Sequence, residues 1–417
     1  MTKAPIVILG AGHAGTQLAA ALRDEGYDGA ISLINGEIVL PYQRPPLSKG
    51  YLKGEVPEAT LSLRSLSFFE SKRIDVVNEI ATSVNLAARR VVLGSGIAIS
   101  YSHLVFATGS RPRRLDFPGR HLKGVGLLRD IRDASDLRDR LSSCRSALVI
   151  GAGFIGLEFA ATARAKGIKV DVTDLAERPM ARALSIRMSE YFRLAHEKSG
   201  CRFHFGARLR ELRGSNGQVT EAALADGQTL STDLVLLAVG VQAEDQLARQ
   251  AGLDCDDGIL VDERLAASNP NVSAIGDCAR RPDYFAGASI RLESVQNAID
   301  QAKYVARYLT GYSSPYRATP WFWSDQGDSK LQIAGLAQGC NEFLLHGDPN
   351  LRSFSVLGFR DGRLRCVESV NSPADHMAAR RIFDANGIVT PAQGSDVAFD
   401  LKHAAKAALR RDRSEAN

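Results

Sequence analysis

The sequence predicts an α/β fold, in which two βαβ units are followed by a smaller α+β domain. Three observations predict it. The segments IVILGAGHAG (6–15) and ALVIGAGFIG (147–156) each run from an apolar strand into Gly-x-Gly-x-x-Gly and then into a helical pattern. From about residue 321 onward, short alternating strands such as LQIAGLA and FSVLGFR replace that pattern.

Each glycine loop predicts a site for a dinucleotide. The first glycine permits a tight turn, and the second lets backbone N–H groups approach a pyrophosphate. The third glycine allows the helix to pack closely on the strand, and the helix N-terminus favours negative charge. Two complete copies therefore predict two Rossmann-like dinucleotide-binding domains and a protein that holds two dinucleotides at once.

We expect the second unit to be inserted into the first. The strand NVSAIGDCA (271–279) needs a sheet partner, and the first unit is the one that lacks closing strands. Residues 1–112 and 245–320 would then form one dinucleotide-binding domain and residues 113–244 the other. Residues 321–417 would form a C-terminal α+β domain.

Composition bounds the class of protein. Of the 417 residues, 45% are hydrophobic and 24% are charged, as in ordinary soluble domains. The first strand starts by Ile6, and no stretch of about 18 apolar residues occurs, so we expect a cytoplasmic protein without a membrane span. A net charge of +5 is too small to indicate nucleic-acid binding. The six cysteines form no CxxC or CxxxxC pair, so neither a metal site nor a redox-active disulfide is expected.

The residue at the end of the second strand of such a unit determines which ribose is recognised. In the second unit this strand ends at Asp174, whose carboxylate would repel a 2′-phosphate and favour NADH over NADPH. Arg178 follows four residues later and could soften that preference. In the first unit the candidates are Asn35, Gly36 and Glu37, of which only Glu37 carries a carboxylate. A solvated loop acid is the alternative interpretation of Glu37.

Several longer motifs occur in order along the chain: LPYQRPPLSKGYL, ATGSRPR, GAGFIGLE, AIGDCA, RLESVQNAIDQA and PWFWSDQ. Together they resemble the FAD-dependent, NADH-linked ferredoxin reductases that serve bacterial haem monooxygenases and aromatic-ring dioxygenases. The putidaredoxin reductase-like group is the most similar, and the likeness runs from Ile6 to the final helix. It implies a flavoprotein with a glutathione-reductase-like pair of domains and a C-terminal domain.

That resemblance assigns FAD to the first unit and NADH to the second. The residues expected at FAD are Gly10, Gly12, Ala14, Gly15, Glu37, Lys49, Ala81, Arg129, Asp277, Val295 and Trp321. Those expected at NADH are Gly151, Gly153, Ile155, Gly156, Asp174 and Gly240. Relatives usually carry an acid where Gly36 stands, so recognition of the FAD ribose would shift to Glu37 or to the backbone.

Lys49 and Glu158 are the expected catalytic pair. Lys49 would place a positive charge near the flavin, and in relatives such a Lys–Glu pair lies beside the nicotinamide pocket. The alternatives are a solvated loop lysine and a first-turn acid favoured by the helix dipole. Trp321 and Trp323 are either core residues or neighbours of the flavin edge, and position alone does not say which one meets it.

The implied activity is transfer of a hydride from NADH to FAD, followed by release of single electrons to a small acidic 2Fe–2S ferredoxin. That carrier would feed a haem monooxygenase or a ring-hydroxylating dioxygenase. A basic docking surface is expected on two helical segments, formed by Lys303, Arg307, Lys402, His403, Lys406, Arg410 and Arg411.

Other activities use the same scaffold. The alternative enzymes are an NADH oxidase, a disulfide or monodehydroascorbate reductase, and a reductase of rubredoxin or quinone. The missing cysteine pair argues against the disulfide class. A binding protein that resembles apoptosis-inducing factor is the alternative of a different class, and it would need organelle targeting or a long insertion in the third domain.

Overall fold

The computed structural model describes residues 5–37, 39–396 and 398–415, with side chains up to residue 411. The chain divides into two compact units. Unit 1 contains the described residues of Met1–Gln43, Glu58–Arg111 and Val241–Ala318, and unit 2 contains those of Arg44–Pro57, Pro112–Gly240 and Thr319–Asn417. The α/β class is confirmed. The expected assignment of residues 1–112 and 245–320, 113–244 and 321–417 to separate domains stays a prediction, and the segment 44–57 groups with unit 2.

The strands follow one another along the whole described chain. In chain order they are β1 (Ile6–Leu9), β2 (Ile31–Ile34), β3 (Ile74–Val77), β4 (Ala81–Asn85), β5 (Arg90–Leu93), β6 (Ala98–Ser100), β7 (His103–Phe106), β8 (Ser110–Pro112), β9 (Val125–Gly126), β10 (Ser146–Ile150), β11 (Lys169–Asp174), β12 (Cys201–Phe205), β13 (Leu209–Ser215), β14 (Gln218–Leu224), β15 (Thr229–Ser231), β16 (Leu234–Leu237), β17 (Val241–Ala243), β18 (Ile259–Leu260), β19 (Val272–Ala274), β20 (Ala279–Asp283), β21 (Ala288–Ile290), β22 (Trp321–Gln326), β23 (Ser329–Gly335), β24 (Glu342–Asp348), β25 (Ser353–Arg360) and β26 (Arg363–Val370).

The helices lie between groups of these strands. They are α1 (His13–Asp24), α2 (Gly50–Lys53), α3 (Leu66–Ser71), α4 (Ile131–Leu141), α5 (Phe154–Ala165), α6 (Ile186–Lys198), α7 (Gln246–Gln250), α8 (Val295–Leu309), α9 (Pro373–Asp384), α10 (Pro391–Gly394) and α11 (Leu401–Glu415). Short 3₁₀ turns cover Pro45–Ser48, Glu58–Thr60, Gly276–Cys278 and Pro349–Leu351. No described helix is both long enough and apolar enough to cross a bilayer.

Unit 1 is built on a five-stranded parallel sheet in the order β19-β7-β1-β2-β3. Its central strand β1 reads IVIL and is buried throughout, as expected for a strand covered on both faces. The helices α1 and α8 pack on each other. The strand β19 pairs with β7 in parallel, so the chain returns to this sheet after residue 240.

Unit 2 contains the second parallel sheet, in the order β12-β11-β10-β16-β9. Here β10 is the central strand, and it leads into α5 through the second glycine loop. An antiparallel sheet follows in the order β13-β14-β15.

The C-terminal part of unit 2 is a five-stranded antiparallel sheet in the order β22-β23-β26-β25-β24. The helix α9 packs on β23 and β26, and α11 packs on α9. The edge strand β22 lies against α5, where the rings of Phe154 and Phe322 are 4.6 Å apart. Because side chains alternate along a strand, Phe322, Ser324 and Gln326 share the face of β22 that meets α5.

Candidate active site

The first glycine loop forms an open cradle at the end of β1. Gly10 has a φ of +104°, and a Cβ on it would lie 2.4 Å from the Ala107 carbonyl oxygen. A Cβ on Gly15 would lie 1.9 Å from the Gly10 carbonyl oxygen, so a larger residue would push α1 off the strand. Around the Cβ position of Gly12, in contrast, no described atom lies within 4 Å. The N-cap residue of α1 is Gly12, which has no side chain that could cap the helix.

The second glycine loop repeats this geometry at the end of β10. Gly151 has a φ of +110°, and its Cβ would lie 2.3 Å from the Ala238 carbonyl oxygen. A Cβ on Gly156 would lie 2.2 Å from the Gly151 carbonyl oxygen, while at Gly153 no described atom comes within 4 Å. The N-cap residue of α5 is likewise a glycine, Gly153, which has no side chain that could cap the helix. Both loops therefore fit a pyrophosphate, with backbone donors at a helix N-terminus and open space at the middle glycine.

The Gly-Asp motif lies beside the first loop in unit 1. The Cβ position of Gly276 is 3.2 Å from the Ala14 Cβ, and the Gly276 N–H donates to Gln301 Oε1 at 2.7 Å. Asp277 accepts a hydrogen bond from Ser110 Oγ at 2.7 Å. The structure thus brings Asp277 and Ala14 to one place, at the N-terminal end of α1. Val295, also predicted at FAD, is the first residue of α8.

The residues predicted near the FAD ribose and adenine meet at the end of β2. Glu37 accepts a hydrogen bond from Tyr42 Oη at 2.6 Å. The Cβ position of Gly36 is 3.5 Å from Ile80 Cγ1, which places Ala81, the first residue of β4, next to this loop. Glu37 is therefore held by a tyrosine at the strand end rather than freely solvated.

Asp174 lies at the end of β11 and holds the second glycine loop directly. Its Oδ2 accepts from the Ala152 N–H at 2.7 Å, and its Oδ1 accepts from the Ala176 N–H at 2.8 Å. Arg178 turns elsewhere, since it donates to the carbonyls of Ala181 and Leu184, at 2.8 and 2.9 Å, and to Ser189 Oγ. The expectation that Arg178 could offset Asp174 finds no support, because its guanidinium is engaged by the loop that precedes α6.

Two further residues predicted at NADH are accessible in unit 2. The side chain of Ile155, in the first turn of α5, is 43% exposed. Gly240 has a φ of +88°, and its Cβ position is 3.4 Å from Arg182 Nη2. An arginine therefore lies next to the glycine that we expect near the nicotinamide.

Lys49 and Glu158 form an ion pair within unit 2. The Lys49 Nζ lies 2.7 Å from Glu158 Oε2, and the side chains are 19% and 2% exposed, respectively. Ser48 Oγ donates to the same oxygen at 2.5 Å, and Ser324 Oγ donates to Oε1 at 2.6 Å. The alternative interpretations of a solvated lysine and a first-turn acid are therefore wrong. Glu158 lies one turn further along α5, and α5 has no acidic residue among its described first-turn positions.

Packing of the loop 44–57 explains how the pair is positioned. Pro45 and Pro46 start a 3₁₀ turn, which fixes the backbone that leads to Ser48 and Lys49. Leu52 is fully buried in the same hydrophobic cluster as α5, and Tyr51 Oη bonds to Ser135 Oγ of α4 at 2.7 Å. The charge and proline content of this loop predict a solvated segment, but the buried side chains of Tyr51 and Leu52 anchor it.

Arg129, predicted close to the FAD phosphates, lies just before α4. Its carbonyl accepts from Arg44 Nη1 at 2.8 Å, and its N–H donates to Asp133 Oδ2 at 2.8 Å. Burial raises the pKa of Asp133, which together with Asp130 forms a capping box at the start of α4. Arg129, Lys49 and Trp321 belong to unit 2, whereas the remaining residues predicted at FAD belong to unit 1.

The two tryptophans of PWFWSDQ share the other face of β22. Their ring centroids are 5.7 Å apart, and Arg380 Cζ lies 4.6 Å from the centre of the Trp321 ring. The ring of His376 lies 5.4 Å from that of Trp321. Within the described residues, Trp321 Nε1 is buried without a hydrogen-bond partner. One face of this strand therefore carries the tryptophans, and Trp321 contacts residues of α9. The opposite face carries the polar side chains of Ser324 and Gln326 and meets α5.

Comparison with known proteins agrees with this architecture. The family model described as "pyridine nucleotide-disulphide oxidoreductase" matches residues 4–302, and a model described as "reductase C-terminal" matches residues 321–405. Rhodocoxin reductase of Rhodococcus erythropolis is 44% identical over 398 residues, which cover 95% of this chain and 93% of that protein.

Two solved structures are similar over nearly the full length. The ferredoxin reductase for the CYP199A2 system from Rhodopseudomonas palustris has 48% identity and a TM-score of 0.95, over 97% of this chain and 100% of that one. The reductase in the covalent putidaredoxin reductase–putidaredoxin complex has 33% identity and a TM-score of 0.94, over 98% and 100%.

The chain belongs to the pyridine nucleotide-disulphide oxidoreductase family, so it is a flavoprotein oxidoreductase of the class that uses FAD and NAD(P)H. Within that family it is of the putidaredoxin reductase-like, ferredoxin reductase type, which confirms the resemblance drawn from its motifs.

Sequence reasoning misses Ser48 and Ser324, which donate to Glu158, and also Gln326 and His196, which continue the hydrogen bonds beyond Ser324. Ser48 is adjacent to Lys49, and Ser324 and Gln326 belong to the PWFWSDQ motif, whose tryptophans are its most conspicuous residues. The alternation of side chains along β22 was the available signal, since it separates the two tryptophans from Ser324 and Gln326. His196, on α6, carried no sequence signal.

Proposed function

We propose that this protein transfers a hydride from NADH to FAD and passes the electrons one at a time to a small acidic 2Fe–2S ferredoxin, which feeds a haem monooxygenase or ring-hydroxylating dioxygenase. When bound, FAD accepts a hydride and releases single electrons. The observation that carries the proposal is the pair of matching cradles. A protein with two such loops, one in each unit, is built to hold two dinucleotides.

The first cradle and the Gly-Asp motif would hold FAD. The backbone of Gly10, Gly12, Ala14 and Gly15 would surround the pyrophosphate, and Asp277 would bind the ribityl chain. Ser110 donates to Asp277 and so orients its carboxylate. Glu37, beside Ala81, would take the ribose role of the acid that Gly36 replaces, with Tyr42 holding the carboxylate.

The second cradle would hold NADH. Gly151, Gly153, Ile155 and Gly156 would receive its pyrophosphate, and Asp174 would accept from the ribose hydroxyls. Both Asp174 oxygens already accept one backbone N–H each, and carboxylate oxygens can accept more than one hydrogen bond. Since Arg178 is engaged elsewhere, a 2′-phosphate would meet the negative charge of Asp174 without Arg178 to offset it.

Lys49 would supply the positive charge that favours the anionic reduced flavin, and Glu158 would hold the Lys49 ammonium in place. Hydride transfer needs the two rings stacked at short distance more than it needs acid–base catalysis. Positioning is therefore the main work of these side chains. The described parts of the chain contain six free thiols, which suit a reducing compartment such as the cytoplasm.

The acceptor is tested by NADH-driven reduction of cytochrome c, with and without a small 2Fe–2S ferredoxin, and with NADPH in parallel. We expect ferredoxin to raise the rate many-fold and NADPH to be a poor donor. If ferredoxin adds nothing while oxygen, a quinone or rubredoxin consumes NADH rapidly, the assigned acceptor is wrong.

A further inference from the structure

The carboxylate of Glu158 is the end point of a row of buried polar side chains that starts on α6 and passes through the C-terminal sheet. Ser324 and Gln326 stand on the face of β22 that meets α5, and they are 0% and 5% exposed. Burying polar groups on a strand face costs free energy unless each group is hydrogen-bonded. The hydrogen-bond partners of Ser324 and Gln326 therefore indicate why polar residues occupy these buried positions.

The row is continuous from α6 to α5. Ser324 Oγ donates to Glu158 Oε1 at 2.6 Å, and Gln326 Nε2 lies 3.2 Å from Ser324 Oγ. Gln326 Oε1 in turn lies 2.9 Å from His196 Nε2, and the His196 ring is 4% exposed. Every member belongs to unit 2.

The direction of these bonds is fixed by the chemistry of their members. An ionised carboxylate only accepts, so Ser324 donates its hydroxyl hydrogen to Glu158 and can accept from the Gln326 amide. The amide oxygen of Gln326 then accepts, which requires His196 to carry its proton on Nε2. The other ring nitrogen, Nδ1, faces the Cys201 thiol at 3.9 Å. Burial lowers the pKa of His196, which favours the neutral form of the ring.

We propose that Ser324 and Gln326, with His196 behind them, are positioning residues that hold the Glu158 carboxylate in the orientation that pairs with Lys49. The donors of the row all point toward Glu158, so each one favours the negative charge that pairs with the Lys49 ammonium. The C-terminal domain would then take part in hydride transfer through its first strand. This inference rests on the proposed function, in which the Lys49–Glu158 pair serves hydride transfer from NADH to FAD.

The test compares Ser324→Ala with Ser355→Ala. Ser355 is the matched control, because it is also 0% exposed in the same sheet and donates to a carboxylate, that of Asp375, at 2.9 Å. Flavin bleaching by NADH is followed anaerobically by stopped-flow absorbance. Loss of one hydrogen bond to a charged group predicts about a tenfold slower limiting rate in Ser324→Ala. Ser355→Ala should keep the rate of the unchanged protein, and Ser324→Thr should restore most of the lost rate.

A second readout does not depend on activity. Labelling of the Lys49 amine by acetic anhydride, quantified by mass spectrometry, reports how firmly Glu158 holds it. We expect Ser324→Ala to accelerate labelling of Lys49 several-fold and Ser355→Ala to leave it unchanged. In a Glu158→Gln background, Ser324→Ala should add little to either readout, because the partner through which it acts is already neutral.

The outcomes separate this inference from the proposed function. Equal rates and equal labelling in Ser324→Ala and the unchanged protein would overturn the positioning role, even if NADH reduces the flavin rapidly and ferredoxin accepts the electrons. Failure of NADH to reduce the flavin of the unchanged protein would overturn the proposed function instead. The labelling of Lys49 would still test the row of hydrogen bonds in that case.

Discussion

Glu368 makes the stability of the C-terminal sheet depend on pH. It is a fully buried residue of β26, and it accepts from the Ser185 N–H at 2.8 Å and from Ser185 Oγ at 2.5 Å. Burial raises the pKa of Glu368 from 4.5 to about 7, an effect that the bonds from Ser185 and the charge of Arg178 only partly offset. Replacing Glu368 by Gln keeps the shape of the side chain and removes its ionisation.

The sign and size of the effect follow from linkage. Because the pKa is higher in the folded protein than in the unfolded chain, the contribution to stability is complete below pH 4.5 and is lost as the pH rises through about 7. At about 1.4 kcal/mol for each pH unit of that interval, the total loss is about 3 kcal/mol. Above the upper limit the loss does not grow further, since the carboxyl is then ionised in both states.

The assay is urea unfolding of the FAD-saturated protein at pH 5 and pH 8, followed by tryptophan fluorescence. Both tryptophans lie in β22 of the same sheet as Glu368, so the signal reports this part of the chain. We expect the unchanged protein to lose about 2.5 kcal/mol relative to Glu368→Gln between these pH values, because part of the loss has already occurred at pH 5. Glu342→Gln, an exposed position on β24, should behave like the unchanged protein. An equal stability difference between Glu368→Gln and the unchanged protein at both pH values would refute the reasoning.

Three further outcomes are expected. Gly153→Ala should fold and keep its flavin but raise the KM for NADH about tenfold, because the added methyl group enters the open cradle. Gly12→Ala should instead lose flavin. Retention of both ligands by both variants would contradict the assignment of the cradles. Asp174→Ala should lower kcat/KM for NADH about tenfold and narrow the gap to NADPH in steady-state assays, whereas an unchanged ratio would remove Asp174 from the ribose site. Reversing the exposed charges of Lys406 and Arg410 to Glu should slow ferredoxin-dependent turnover several-fold at low salt and leave it unchanged at high salt; unchanged turnover at low salt would remove the docking proposal.

The glycine loops could be predicted from the sequence because their geometry is local. Gly10 and Gly151 need a positive φ, and Gly15 and Gly156 need the absence of a side chain, within one turn of the chain. The same holds for Asp174, whose place is set by the end of a strand. These requirements are written into adjacent residues and so are visible in a single sequence.

The surroundings of Glu158 could not be predicted in the same way. The pair with Lys49 came from a resemblance to a family, and nothing local indicates that residues 109 positions apart meet. Ser324, a further 166 positions along the chain from Glu158, depends on β22 packing against α5. Such contacts arise from tertiary packing, which a motif records only indirectly.

The most direct test of the central proposal is an anaerobic titration of the purified flavoprotein. One equivalent of NADH should bleach the flavin of one equivalent of protein, and about two equivalents of oxidised 2Fe–2S ferredoxin should then restore the flavin absorbance, since each ferredoxin takes a single electron. If the bleached protein stays reduced in the presence of ferredoxin and recovers its absorbance only with oxygen, a quinone or rubredoxin, the proposed role as a ferredoxin reductase is contradicted.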